Sequence, residues 1–503
     1  MRIGLRIFYN PAWMGGVNYV LNIARMLRTL PGGEQPHITF LTSAPQAEEI
    51  AAEHAGLADE IAPFANAASL NLDFVYPATQ LPEAPFGAPW AGWIPDWQCQ
   101  HYPELFPPEE QARRFLQYRE LARGPAACVF SSQQAIEDTA KLFPDFEKDH
   151  WKIFHFPAVF DEGFWQEGSD DTDAVRARFN VPGDYLIVCN QFWRHKNHLQ
   201  IVEALAARPG LDVHVVMTGA IEDTRWPDYA ASIRDLLARE DVARRVTITD
   251  RISRDEQLAL LKGARGFVQP SLFEGWSTFV EESRALGLPG LLSDIPVHRE
   301  QSPAGSVFFD PNDVESLASA LERFVADPPK RPSLAKASSK HAAYVADRAR
   351  TFMDIARFTA QRFDPARHDA GAVIARAAPA LFDEIGKHPH VAQESFDRWL
   401  GNTRLSLREN PEDLARIGGM IAEGNSAFAA KSDKLLVQAT LAKAPPEMRQ
   451  RFLDYDPVSD EAERRERIAS MQSAIDSPRA RAQLASQNFL FRLKDFIRRK
   501  LRS

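Results

Sequence analysis

Cysteine is scarce in this chain of 503 residues, where Cys99, Cys128 and Cys189 are the only three. They fit no metal-ligand spacing, so a reducing compartment and no zinc site are the default expectation. Long apolar runs are missing too. No stretch approaches the roughly 20 apolar residues that cross a bilayer, and the opening run 3–9 is too short and interrupted for a signal peptide. Both absences lead the sequence to expect a cytoplasmic protein. Positive charge is not in excess: a net charge of −9 argues against a general nucleic-acid binder.

What remains is an ordinary globular composition with a clear rhythm. The chain is 45% hydrophobic, enough for well-formed cores, and its length fits about three domains. Short β-branched or aromatic runs alternate with helical periods, which predicts parallel strands joined by crossover helices. A first block has strands at 5–9, 38–42, 70–75, 92–94, 127–130 and 153–156, with helices near 17–28, 109–122 and 133–142. A second has strands at 185–189, 213–218, 246–249, 266–269 and 290–293, with helices near 198–207, 230–240, 255–262 and 278–286. The polar stretch 162–183 separates them. The predicted fold class is therefore α/β, with two Rossmann-like, doubly wound domains, at 1–165 and 180–345, facing a cleft at the carboxyl ends of their strands. From about 365 the strand signals stop, and 346–503 reads as an all-α extension with helices at 372–385, 390–400, 411–423 and 445–452.

The last residues of that extension form a basic amphipathic helix. At about 100° per residue, Phe489, Leu490, Leu493, Phe496, Ile497 and Leu501 gather on one face, with Arg492, Lys494, Arg498, Arg499 and Arg502 mostly opposite. Such a helix serves either an anionic membrane surface or ordinary docking with a solvated basic face.

Chemistry concentrates in the run Pro270-Ser271-Leu272-Phe273-Glu274-Gly275-Trp276-Ser277-Thr278-Phe279-Val280-Glu281-Glu282. Glu274 precedes a glycine turn and Glu282 lies inside the helix that follows. The N–H groups near Ser277, Thr278 and Phe279 suit a diphosphate, and the two carboxylates suit sugar and ribose hydroxyls. Glu281 is expected to turn about 100° away, toward solvent. Arg194 and Lys196, in the loop after strand 185–189, are placed to stabilise a departing diphosphate without any metal. Gly15 and Gly16, where the first strand gives way to a helix, let backbone approach a ligand. Trp13, Trp193 and Trp276 offer stacking faces for rings.

Over roughly residues 1–345 the chain resembles the retaining glycosyltransferases of family 4, which have the GT-B fold. The resemblance is carried by the run around Glu274 and Glu282, by Gly287-Leu288-Pro289 with Ser293-Asp294-Ile295-Pro296-Val297-His298-Arg299-Glu300, and by Asn190-Gln191-Phe192-Trp193-Arg194-His195-Lys196-Asn197, which is similar to the family's phosphate clamp. In the first block, Trp93-Ile94-Pro95-Asp96-Trp97-Gln98-Cys99-Gln100-His101 resembles a cleft-edge segment of the family. The family usually has histidine where Cys99 stands and arginine where Gln191 stands. The resemblance implies that Glu274 contacts the donor sugar, that Glu282 holds the nucleotide ribose, and that Lys196 and Arg194 clamp the phosphates. His101 either takes the place of the family histidine near the donor sugar or makes a structural hydrogen bond. Gly15, Gly16, Asn190, Ser277, Thr278 and Phe279 complete the implied donor site, with no metal and no cofactor. Its implied activity is retaining transfer of a hexose from a nucleotide diphosphate sugar to a glycan or lipid-linked acceptor, in surface polysaccharide synthesis. A nucleotide-sugar epimerase of the same fold and a non-catalytic sugar-binding scaffold are the alternatives.

Overall fold

A computed structural model describes residues 1–7, 14–43, 46–54, 56–79, 87–106, 108–124, 126–166, 172–222 and 226–364. The expected helices from residue 372 onward, the basic segment 489–503 and Trp13 lie outside the described residues. Within them, two parallel sheets form, and both belong to one compact unit. The first contains β1 (Arg2–Arg6), β2 (His37–Thr42), β3 (Glu60–Pro63), β4 (Phe74–Ala78), β5 (Trp90–Ile94), β6 (Ala127–Phe130) and β7 (Trp151–Ile153), in the order β3-β2-β1-β4-β5-β6-β7. The second contains β8 (Leu186–Cys189), β9 (Val215–Thr218), β10 (Val246–Ile248), β11 (Gly266–Gln269), β12 (Gly290–Ser293) and β13 (Val307–Phe309), in the order β10-β9-β8-β11-β12-β13.

The central strands β4, β5, β6, β8, β9, β11 and β12 are buried along their whole length. That is the signature of a parallel sheet covered by helices on both faces, and it explains why their sequences are near-continuous apolar runs without alternation. The flanking helices start where serine or aspartate can take an orphan N–H: Ser132 caps Gln133–Leu142, Ser253 closes a full capping box with Glu256, Ser277 caps Thr278–Ala285 and Asp313 caps Val314–Ala326.

The structure moves some expected boundaries. The strand expected at 70–75 starts later, at Phe74, because Asn71 sits in the left-handed region with φ 49° and makes a turn there. β3 and β13 escaped the sequence reading because each is a short, only partly buried edge strand with no long apolar run. The helix Leu334–Arg362 runs through residue 346, the expected start of the C-terminal extension, and returns to the first sheet. Its Phe352 ring lies 5.4 Å from Tyr76 and 5.3 Å from Phe154, and Val345, Ala349 and Met353 join the same apolar cluster.

Candidate functional site

In each sheet the chain order reverses once, and there adjacent strands send their connections to opposite faces and leave a crevice at their carboxyl ends. In the second sheet the reversal falls between β8 and β11. Asn190 follows β8 directly, and the Glu274 loop follows β11, so both open into that crevice. Gly219, after β9, is needed beside them. Its φ is +117°, and a Cβ there would sit 2.7 Å from the Asn190 carbonyl oxygen, so only glycine lets the two loops lie so close.

Lys196 ends the short turn Arg194–Lys196, and its Nζ donates to Glu274 Oε1 at 2.7 Å and to Oε2 at 2.9 Å. Oε1 also accepts from Ser271 Oγ at 2.6 Å and from Gln269 Nε2 at 2.7 Å. Asn190 Nδ2 donates to Gln269 Oε1 at 2.7 Å, which fixes the amide that faces the carboxylate. Burial alone raises a carboxyl's pKa. Here the Lys196 ammonium and the donors around Oε1 outweigh it and hold Glu274 down at about 2. With three donors on Oε1 and one on Oε2, the second oxygen keeps acceptor capacity for a further hydroxyl.

His298 lies fully buried behind this pair. Ser293 Oγ donates to the Ser271 carbonyl, so it accepts from His298 Nδ1 at 2.9 Å, alongside the Ser293 carbonyl at 3.0 Å. That network assigns the proton to Nδ1, and burial pushes the imidazole down to about 4, which keeps it neutral.

At the start of the helix Thr278–Ala285, the Ser277 N–H goes to Gln301 Oε1 at 3.2 Å and the Val280 N–H to Ser277 Oγ at 3.3 Å. Thr278 and Phe279 hold the first helical positions, whose N–H groups have no intrahelical acceptor. Of the three groups expected to face a diphosphate, two therefore keep that capacity and the third is taken by a side chain. Glu282 is buried and accepts from Arg254 Nη2 through Oε1. Glu281 does not face solvent as expected. It is fully buried, accepts from Gln301 Nε2 at 2.9 Å and Arg284 Nε at 3.2 Å, and lies beside Tyr344, because the helix Leu334–Arg362 covers that face.

The opposing wall comes from the segment after β5. Asp96 lies against Gly275: a Cβ on Gly275 would stand 2.8 Å from Asp96 Oδ2 and 2.8 Å from the Pro95 carbonyl oxygen. Tyr102 Oη donates to the Leu272 carbonyl at 3.3 Å. His101 packs its ring 5.1 Å from Phe273, and its Nε2 pairs with Asp138 Oδ2 at 2.7 Å. The hydrogen bond to Asp138 is the main reason the imidazole titrates above its ordinary value. Its contribution to stability is complete below pH 6.5 and fades as pH rises through that raised value. Asp138→Asn should return the His101 titration to about 6.5 or below, observable in a two-dimensional NMR pH series.

The structure separates some expected partners. Arg194 is exposed, and its guanidinium lies 4.3 Å from the centre of the Trp226 ring. Gly15 and Gly16 are early positions of the helix Met14–Arg28, Gly15 exposed and open on its Cβ side. Trp276 already stacks on His155, 4.2 Å away and inclined by 3°, and donates to the Phe156 carbonyl. Glu300 accepts from His155 Nε2 at 2.6 Å and from the Gln133 N–H at 2.8 Å, binding the second sheet's body to the first. Among the described residues, no three His, Cys, Asp or Glu side chains lie together as a metal site, and no helix is long and apolar enough to cross a membrane.

Residues 170–341 match the glycosyl transferases group 1 family. The O-antigen chain mannosyltransferase RfbU of Salmonella typhimurium is 26% identical over 139 residues, a stretch that covers 28% of this chain and 38% of that protein. The chain thus matches well under half the length of that relative. Sucrose-phosphate synthase from Thermosynechococcus elongatus superposes with a TM-score of 0.52 at 15% identity, over 71% of this chain and 98% of that one. A glycosyltransferase from Rickettsia africae gives a TM-score of 0.51 at 16% identity, over 71% and 98%. The two parallel sheets and their flanking helices make the GT-B arrangement.

Proposed function

Because this chain carries a glycosyl transferases group 1 domain at residues 170–341, we propose that it is a retaining, metal-independent hexosyltransferase that uses a nucleotide diphosphate sugar. One observation carries this reading above the others: a part-buried Lys196 hydrogen-bonded to a buried Glu274 at the reversal point of the second sheet, beside the opening turn of the helix Thr278–Ala285. In transfer, the bond between the anomeric carbon and the phosphate oxygen breaks with its electrons on the diphosphate. The acceptor hydroxyl closes the new bond on the same face, and its proton passes to the phosphate. Negative charge then builds beside Lys196 and the Thr278 and Phe279 N–H groups, where a fixed cation and helix N–H groups stabilise the transition state more than the ground state. Glu274 Oε2 takes a sugar hydroxyl, and Glu282, oriented by Arg254, takes the ribose. Asn190 supports the carboxylate through Gln269, and His101, Gly15 and Gly16 border the donor.

The mannosyl specificity in the relative's name makes mannose the first hexose to try, and its O-antigen role supports a glycan or lipid-linked acceptor at the cytoplasmic face of a membrane, with residues 489–503 as the contact. The test is a melting series with UDP-, GDP-, dTDP- and ADP-hexoses on wild type and Glu282→Ala. A donor at about 100 times its Kd adds roughly 2.7 kcal/mol, and that gain should vanish in the variant. Product analysis then decides the chemistry: free nucleoside diphosphate with glycosylated acceptor means transfer, an altered sugar on an intact diphosphate means epimerisation, and binding without turnover means a scaffold.

A further inference from the structure

The carboxylate of Asp96 has a fixed position and no task in the donor site. It follows β5 in the first half of the molecule, and its Oδ1 accepts the Gln98 N–H at 2.8 Å, an Asx turn that locks the side chain. Its Oδ2 is turned toward the second half and reaches Gly275, next to Glu274, at a place where any side chain would collide. No hydrogen bond within the described residues takes Oδ2. The Lys196 charge acts on it from nearby, but the hydrogen bonds of that Nζ go to the two Glu274 oxygens. A carboxylate held at one oxygen, with the other presented across a cleft, is built to accept a proton-bearing group from a ligand.

We propose that Asp96 Oδ2 holds the acceptor by an O–H other than the one whose proton passes to the phosphate (the second O–H of water, or a neighbouring hydroxyl of a glycan), so that the first half of the molecule orients the attacking oxygen toward a sugar held by Lys196, Glu274 and Glu282; this rests on the transferase reading above. Three features support the acceptor side over the donor side. Asp96 belongs to the sheet opposite the one that carries the Lys196–Glu274 pair. It is anionic, so it disfavours direct contact with a diphosphate. Burial, together with the nearby Glu274 charge, raises its carboxyl pKa, which makes it a stronger hydrogen-bond acceptor than an ordinary surface aspartate.

Asp96→Asn tests this, because the amide keeps the shape and its oxygen can still accept the Gln98 N–H, so the fold is retained while the anionic acceptor is lost. The probes are the nucleoside diphosphate and the nucleotide hexose that stabilise wild type in the melting series, with water as acceptor. The expected result is that both ligands still raise the melting temperature as in wild type, while release of nucleoside diphosphate from the nucleotide hexose falls at least about tenfold, the scale of one lost transition-state contact. Unchanged release overturns the proposal. So does loss of the nucleotide-hexose shift with the nucleoside-diphosphate shift intact, which would put Asp96 on the donor sugar. Asp96→Glu provides a second check: it keeps the charge but overreaches into Gly275, and it too should lose turnover. A wild-type chain that neither binds nor cleaves any nucleotide hexose overturns the transferase reading itself.

Discussion

Lys196→Ala is expected to reduce turnover about 10²- to 10³-fold, the usual effect of removing one preorganised charge from a developing anion. It should also weaken the fold. Glu274 would keep its buried position without the ammonium that compensates it, and breaking such a pair from one side costs about 3–5 kcal/mol. Two measurements separate the effects. In Lys196→Ala/Glu274→Gln no buried charge is left uncompensated, so denaturation should show most of the stability restored while turnover stays low. The pH dependence gives an independent check. Glu274 titrates at about 2 in the fold against an ordinary 4.5, so the pair's contribution is present above pH 4.5 and disappears as pH falls toward 2. That acid-side loss of stability should be absent in Lys196→Ala.

Gly275→Ala should be nearly as damaging to activity, for a different reason. The added methyl would meet Asp96 Oδ2 and the Pro95 carbonyl oxygen, each at 2.8 Å, and a backbone carbonyl cannot rotate away. The two walls of the crevice must part. A displacement of about 1 Å at a reacting centre costs about 10²-fold in rate. Free nucleoside diphosphate, held by the second half alone, should bind Gly275→Ala as it binds wild type. A variant with wild-type turnover would show that the two walls need not meet during the reaction.

Much of the architecture was legible in the order of residues. Buried parallel strands announce themselves as short apolar runs, and those at 127–130, 266–269 and 290–293 have the expected limits. The edge strands β3 and β13 did not, because segments of three or four partly buried residues have neither a run nor an alternation long enough to stand out. Lys196 and Glu274 could be singled out from their motifs, but their contact could not, since it joins residues 78 apart through the neighbouring placement of β8 and β11. Glu281 shows the limit of helical geometry. Its direction around the axis was correct relative to Glu282, yet what covers that face is a helix more than fifty residues later in the chain. Arg254, Asp138 and His298 went unassigned for the same reason: each matters through a partner that only the tertiary fold supplies. Asp96 had a signal, its place in the Pro-Asp segment, although nothing in the sequence indicated which oxygen faces the cleft.

The helix Leu334–Arg362 has a practical consequence for exchanging parts of this protein. It begins beside the second sheet, where Leu334 joins that apolar core, and ends on the first, so its two ends belong to different halves. Among the described residues the chain therefore crosses between the halves twice, once around His155–Asp161 and once inside a continuous helix. A graft that replaces only the donor-binding half cannot be made with a single junction. It needs one splice in the connecting segment and another within the helix, with Val345, Ala349, Phe352, Met353 and Ile355 retained from whichever parent supplies the first sheet. A hybrid cut at the end of the family match, residue 341, keeps those five together; one cut at 364 carries foreign side chains into a core they were not shaped to fill.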